Sequence, residues 1–192
     1  MQEAPGLPSP VALSTAQSVA RVFLKDTGVW TKKLTVPLLA NNTVLDFSAL
    51  LTAGEEVSRI VSMVYDGRLI PEKDIDAFLT HVNRTQSTAK TPYIFTQNQN
   101  VFEVYPAPDS NINLLCTVEL TTTLDSNYID DAVEERVREG IVSGALYRLL
   151  RQDGKPWTNK QGSMEYREVY YNETLRAKTK LLPQSFNLRN FL

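Results

Sequence analysis

The clearest pattern in the chain is an apolar stripe of helical spacing around residue 140. Its members stand four positions apart: Val133, Val137, Ile141, Ala145 and Leu149. This spacing places one broad apolar face along an α-helix. Acidic residues precede the stripe, and Gly154 and Pro156 follow it, as is typical of the two ends of a helix. The pattern predicts a helix over about 129–151.

Two further helices are predicted from the same kind of spacing. A second long helix follows over about 159–181, and a short helix near the N-terminus begins with Ser14 as its cap and runs to about Lys25. Residues 1–10 contain three prolines and a glycine, so we expect a flexible or extended arm there.

The middle of the chain alternates apolar and polar residues with the period of β-strands. Leu34 and Val36 alternate with polar neighbours, and 60–65 and 112–120 alternate in the same way. Asp66-Gly67 is a strong signal for a two-residue hairpin, because a type I′ turn requires positive φ at both positions.

This order of elements predicts an α+β fold. A short N-terminal helix and a long C-terminal helical hairpin flank an inserted antiparallel β domain of short hairpins. The predicted domains are a flexible arm over 1–12, a helical domain from 13–30 and 127–182, a β-rich domain with one short helix over 31–126, and a C-terminal tail over 183–192.

Composition excludes several classes of function. A net charge of -2 over 192 residues gives no overall basic bias toward nucleic acid. The single histidine, His81, and the single cysteine, Cys116, cannot build a nitrogen- or sulfur-rich metal site, and we expect no metal and no cofactor. His81 is interpreted as a surface or capping residue and Cys116 as a small buried apolar residue. No apolar run is long enough for a membrane span, and the N-terminus has no secretory signal pattern, so folding in a reducing cytoplasm is expected.

The carboxylates form no catalytic pattern. Adjacent acids on a helix point in different directions, and those at helix starts are explained by the helix dipole. Asp66 is explained by its turn. A small hydrolase that depends on carboxylates such as Asp66, Glu103 or Asp130 remains an unlikely alternative, and we predict no catalytic residues.

Residues that could serve packing or contact are easier to identify. Gly140 and Gly144 permit close approach to the long helix, on which Leu146 and Leu149 are expected to pack. Trp157, after the helix break, either staples its own loop or anchors an interface. The apolar C-terminal tail, residues 183–192, either folds back on the core of its own chain or docks on a partner. The predicted interface with a partner or a neighbouring copy comprises Trp157, Arg176, Lys178, Lys180, Phe186, Leu188, Arg189, Phe191 and Leu192.

Four short motifs follow one another in a recognisable order. They are ValTyrAspGlyArg at 64–68, ThrProTyrIlePheThrGln at 91–97, ValTyrProAlaPro at 104–108, and IleValSerGlyAlaLeuTyrArgLeuLeu at 141–150 with GlyLysProTrpThrAsn at 154–159. Over about Val57 to Glu173 the chain resembles the head-to-tail adaptor, or connector, proteins of tailed bacteriophages.

The resemblance implies a virion protein that acts by assembly. It implies a helical bundle with an attached β domain, and a ring of twelve copies beneath the portal protein that extends the DNA channel and carries the tail proteins. Genome DNA would pass through the lumen without sequence readout, and assembly would take place in the host bacterial cytoplasm, without a membrane. Near-neutral charge suits such a channel, because a strongly basic lumen would hold phosphates.

Two other binding functions stay open at this stage. A tail-tube or stopper ring protein of the virion would share the composition and the assembly. A plain DNA-binding module would use Lys178, Lys180 and Arg189, whose charge is otherwise explained by a helix C-terminus and a solvated face.

Overall fold

The computed structural model describes residues 4–84, 88–98 and 101–179. In chain order the elements are α1 (Ser9–Thr27), β1 (Thr31–Leu38), a 3-10 turn (Ser48–Leu50), β2 (Glu55–Tyr65), β3 (Arg68–Ile70), α2 (Ile75–Arg84), β4 (Thr88–Ala89), β5 (Ile94–Asn98), β6 (Val101–Tyr105), β7 (Ala107–Pro108), β8 (Ile112–Thr122), α3 (Asp131–Leu150) and α4 (Lys160–Thr179). This order confirms the predicted α+β class, with a β region between helices. The chain divides into a helical unit, Met1–Trp30 with Thr122–Leu192, and a β-rich unit, Thr31–Thr121.

In the helical unit, α3 and α4 form an antiparallel hairpin. The Asn159 backbone N–H donates to the Leu150 carbonyl at 2.8 Å, and the Ser163 hydroxyl donates to the Tyr147 carbonyl at 3.1 Å. Helix α3 begins at a capped end, where the Asp130 carboxylate accepts a hydrogen bond from the Ala132 N–H at 3.0 Å. This cap satisfies one of the free N–H groups of the first turn and fixes where the helix starts.

Two glycines on α3 allow the three long helices to meet. A Cβ on Gly140 would lie 2.7 Å from Cζ of Phe23, and a Cβ on Gly144 would lie 2.6 Å from Cδ2 of Tyr170 and 2.7 Å from Cγ1 of Val19. Phe23 of α1 and Tyr170 of α4 pack edge to face over this site, with ring centroids 5.9 Å apart. Only hydrogen atoms at these two positions leave room for the side chains of both neighbouring helices.

The N-terminal helix begins earlier than the sequence pattern predicted. It starts at Ser9 rather than at Ser14, inside the segment assigned to a flexible arm, and Pro8 occupies its cap position. Proline is tolerated in the first turn because the N–H groups there have no intrahelical partner, so the prolines mark the helix start. Ala4 is also buried, against Leu149, Leu150 and Trp157. The assignment of 1–12 as an arm is therefore wrong for the residues from Ala4 onward.

The β-rich unit is organised around a four-stranded sheet of order β1-β8-β2-β3. Strands β1 and β8 are antiparallel, with Thr31 opposite Glu119 and Leu38 opposite Ile112. The turn between β2 and β3 consists of Asp66 and Gly67, which have φ of 47° and 73°. Strands β5 and β6 form an antiparallel pair, and β4 and β7 form a short parallel pair.

Strand β2 departs from the simple alternation expected for 60–65. Ile60 and Met63 are both fully buried although an odd spacing puts them on opposite faces of a strand, and Val61 is 52% exposed. The backbone of Ile60 is also hydrogen-bonded by Gln97 of β5, whose side chain accepts from the Ile60 N–H at 2.9 Å and donates to the Ile60 carbonyl at 3.3 Å. The Gln97 amide thus bonds the backbone of β2 as a neighbouring strand would.

We expect Gly144→Ala to destabilise the helical unit. The added Cβ overlaps Tyr170 and Val19, and overpacking of this kind costs roughly 1–3 kcal/mol, against which better helix propensity returns only about 1 kcal/mol. Chemical denaturation followed by tryptophan fluorescence measures the change, because Trp30 and Trp157 both belong to this unit. The control is Glu139→Ala, an exposed position on the same helix. A Gly144→Ala chain as stable as this control would contradict the close approach.

We expect Cys116 to be chemically inert in the folded chain. Its side chain is fully buried on β8, and burial raises the pKa of its thiol from 9.0 to about 12. Because the folded state holds the proton more tightly than the unfolded state, Cys116 favours folding below pH 9 and loses this contribution as the pH rises toward 12. The native chain should react with a thiol reagent at pH 8 far more slowly than the same chain in denaturant. Equal rates would show that the thiol is accessible.

Candidate interaction surfaces

Trp157 lies in the core of the helical unit. It is 8% exposed and packs with Ala4, Leu149 and Leu150, beside the partly buried Leu146. Two roles were predicted for Trp157, packing of its own loop or contact with a partner, and the structure shows the first. The indole holds the α3–α4 connection against the end of α3. Its assignment to a portal or neighbour interface is therefore corrected, because almost none of its surface is free for a partner. The indole Nε1 finds no hydrogen-bond partner among the described residues.

The connection between α3 and α4 that contains Trp157 is held by hydrogen bonds of the next residue, Thr158. The Thr158 hydroxyl accepts from the Lys155 N–H at 3.0 Å and donates to the Gln152 carbonyl in a short hydrogen bond of 2.5 Å. Gly154, with φ of 71°, supplies the left-handed turn that this geometry needs. The GlyLysProTrpThrAsn motif is therefore a structural turn, in which the glycine, the tryptophan and the threonine each have a separate role.

The basic end of α4 is exposed. Arg176 pairs with Glu173 one turn earlier, at 3.3 Å, and Lys178 is exposed. The pair is solvent-accessible and contributes little to stability. The other predicted interface residues lie outside the described part of the chain: Lys180, Phe186, Leu188, Arg189, Phe191 and Leu192.

An exposed apolar stripe runs along α4. Met164, Tyr171 and Leu175 are 63%, 62% and 54% exposed and share one face, since their spacings of seven and four residues fit 3.6 residues per turn. The sequence analysis did not identify these three residues as a surface. The available signal was that Ser163, Tyr170 and Ala177 already form a second face, the one that packs inward. We name Met164, Tyr171 and Leu175 the α4 stripe.

An apolar groove of about 690 Å³ lies in the helical unit between α1 and α3. We name it the α1–α3 groove; its lining residues are Ala4, Leu7, Ala12, Ala16, Ile141, Val142, Ala145, Leu146, Leu149 and Tyr166. All ten side chains are apolar or aromatic. Val142 of α3 is 51% exposed here. The small side chains on both helices leave room for a bulky group to approach closely.

The groove continues into a more polar depression of about 390 Å³ at the start of α3. Ile141 and Val142 line both, and the second also includes Asp131, Glu134 and Arg138. Glu134 and Arg138 form an exposed ion pair at 3.0 Å, one turn apart. The face of α3 from Leu149 to Asp131 therefore changes from wholly apolar to charged, with two carboxylates at its far end.

Among the described residues, we find no group of side chains arranged for catalysis or metal binding. Asp66 lies in its turn and Asp130 caps α3, which accounts for both by local structure. Glu103 on β6 is half-buried. Within 4–84, 88–98 and 101–179, no three side chains of the metal-binding types come together, and no helix is long and apolar enough to cross a membrane. The surfaces that stand out are apolar ones suited to protein contact.

The comparison with protein families places the chain. The model of the SU10 adaptor protein family matches residues 8–184, so the chain belongs to this family of phage head-to-tail adaptors. No curated protein matches the chain. The family is a structural one, which confirms the resemblance carried by the four motifs and agrees with a structure whose prominent features are contact surfaces.

We expect Trp157→Phe to be tolerated and Trp157→Ala to be severe. Phenylalanine keeps most of the packing and loses an N–H that has no described partner, so the cost should stay below about 1.5 kcal/mol. Alanine leaves a cavity beside Leu149 and Leu150 and should cost about 3–5 kcal/mol. Denaturation followed by circular dichroism measures both, since fluorescence loses one of its two reporters. Equal losses of unfolding free energy for the two variants would mean that the indole N–H has a hydrogen-bond partner.

Proposed function

We propose that this chain forms the adaptor ring of a tailed-phage virion. The ring would bind beneath the portal protein, extend the DNA channel and provide the platform to which the tail proteins attach. The observation that carries the proposal is membership of the SU10 adaptor family over residues 8–184, nearly the whole chain. A copy number of twelve, as the resemblance implies, is part of the proposal.

The surfaces of the helical unit support assembly as the mode of action. A cyclic ring requires each copy to present two different patches, one to each neighbour. The α4 stripe and the α1–α3 groove are two such patches and share no residue. Both are apolar and partly exposed in a single chain, as is typical of surfaces that become covered in an oligomer.

The charge of the chain fits a channel that DNA slides through. With a net charge of -2 the chain would hold phosphates weakly, and the basic residues at the end of α4 are few and include a paired arginine. We therefore propose passage of DNA without sequence readout. We also propose that the chain catalyses no reaction, in keeping with its structural family.

The test is a mass measurement and particle imaging of the purified chain, alone and mixed with the portal protein of the same virus. A ring of twelve copies attached to the portal is expected. Binding to a tail protein without binding to the portal would instead support the tail-tube or stopper alternative. A chain that stays a single copy in all mixtures and is absent from purified virions would overturn the proposal.

We expect the residues beyond α4 to contribute to portal binding. Replacing Phe186, Leu188 and Phe191 with serine in the full chain removes three apolar anchors and should weaken portal binding roughly tenfold or more, because large apolar anchors dominate interfaces. Leu69→Ser, a change at a 67% exposed residue of the β-rich unit, is the control. Binding is measured by surface plasmon resonance on immobilised portal. Unchanged affinity would exclude these residues as a portal contact.

A further inference from the structure

We propose that adjacent copies join by docking the α4 stripe of one chain into the α1–α3 groove of the next. The proposal rests on the ring function and adds the interface that builds the ring. The occupant of the groove is a helix of a second copy of this chain. Four observations identify it: the lining of the groove, the direction of the stripe, the lengths of the two surfaces and their charges.

The groove has the character of a helix-binding site. Helices dock in grooves through apolar side chains at spacings such as i, i+7 and i+11, which Met164, Tyr171 and Leu175 provide. On the groove side, Ala12 and Ala16 of α1 stand one turn apart and Ala145 lies on the facing helix. Packed helices have axes 8–10 Å apart, and small residues at the contact favour the shorter distances.

A chain cannot fill its own groove with its own stripe. Tyr166 of α4 lines the groove, and it follows Met164 by two residues. Two residues correspond to about 200° around a helix of 3.6 residues per turn, so the stripe faces away from the groove on the same helix. An α4 stripe that docks in the groove therefore comes from another copy, and the contact is heterologous, as a closed ring requires.

The lengths and charges of the two surfaces agree in one orientation. From Met164 to Lys178 is about 21 Å along α4, and from Leu146 to Asp131 is about 22 Å along α3, at 1.5 Å per residue. With the docked helix antiparallel to α3, Met164 lies at the apolar end. Lys178 then lies near the Asp131 carboxylate, beside the ion pair of Glu134 with Arg138. The parallel orientation would instead place the basic end of α4 against the wholly apolar end of the groove.

Single-cysteine chains give the direct test. In the docked arrangement Tyr171 lies within about one helical turn of the level of Val142. Both are more than half exposed, so cysteine at either position leaves the core intact. Cys116 stays in place because it is buried and its thiol remains protonated. A Val142→Cys chain mixed with a Tyr171→Cys chain under ring-forming, mildly oxidising conditions should give disulfide-linked dimers. Each single-cysteine chain alone should give roughly tenfold less disulfide-linked dimer.

A matched pair controls for random collisions. Val142→Cys mixed with Leu69→Cys combines the same groove cysteine with an exposed position in the β-rich unit, and should form no more dimer than the single chains. As a second measurement, Val142→Asp and Tyr171→Asp should each reduce ring formation roughly tenfold or more, since both bury a charge in an apolar contact. Leu69→Asp should leave ring formation unchanged.

The outcomes separate this interface from the ring function. Rings that form on the portal without the Val142–Tyr171 disulfide, and that tolerate both aspartates, overturn the interface and leave the function standing. Strong cross-linking of either single-cysteine chain with itself indicates a two-fold contact and also overturns it. A disulfide from Val142→Cys to Phe191→Cys within one chain would show that the tail fills the groove. A chain that never forms a ring overturns both proposals.

Discussion

The helical unit depends on the close contact that Gly140 and Gly144 permit. Because neither residue has a side chain, Phe23 and Val19 of α1 and Tyr170 of α4 all reach the same two turns of α3. The orientation of α4 follows from this contact. Tyr170 turns inward, and the spacing of α4 then leaves Met164, Tyr171 and Leu175 outward, where a solvated helix would carry polar residues. A packing requirement inside the helical unit thus sets which apolar residues of α4 are left exposed.

Sequence patterns predicted most elements because local rules governed them. The stripe of α3, the turn at Asp66-Gly67 and the alternation of β8 each depend on neighbours in the chain, and the α+β class followed from their order. The start of α1 was missed because prolines were taken as signs of an irregular arm, although two of them lie at a helix start. The hydrogen bonds of the Gln97 side chain to the Ile60 backbone could not be predicted, because they join residues 37 positions apart.

The candidate surfaces were predicted less well than the fold. Sequence reasoning favoured charged and terminal residues, and it assigned Trp157 to an interface although the structure buries it. It did not separate two apolar faces of α4, since one sequence cannot tell which of two apolar faces is covered by its own fold. The α1–α3 groove combines residues from the two ends of the chain, so no local pattern could reveal it. The resemblance to the family was carried by motifs that include structural turns and packing sites, such as the connection around Trp157.

The β-rich unit begins and ends on paired strands. It opens with β1 and closes with β8, and Thr31 stands directly opposite Glu119 in the antiparallel ladder, where Cα atoms are about 5 Å apart. An insertion whose entry and exit lie so close makes little demand on the helices that flank it. Such a segment can be shortened, lengthened or replaced in evolution by a different module, while the helical unit is inherited unchanged. Viral lineages that exchange it would alter the β-rich surface of the adaptor and keep its helical packing.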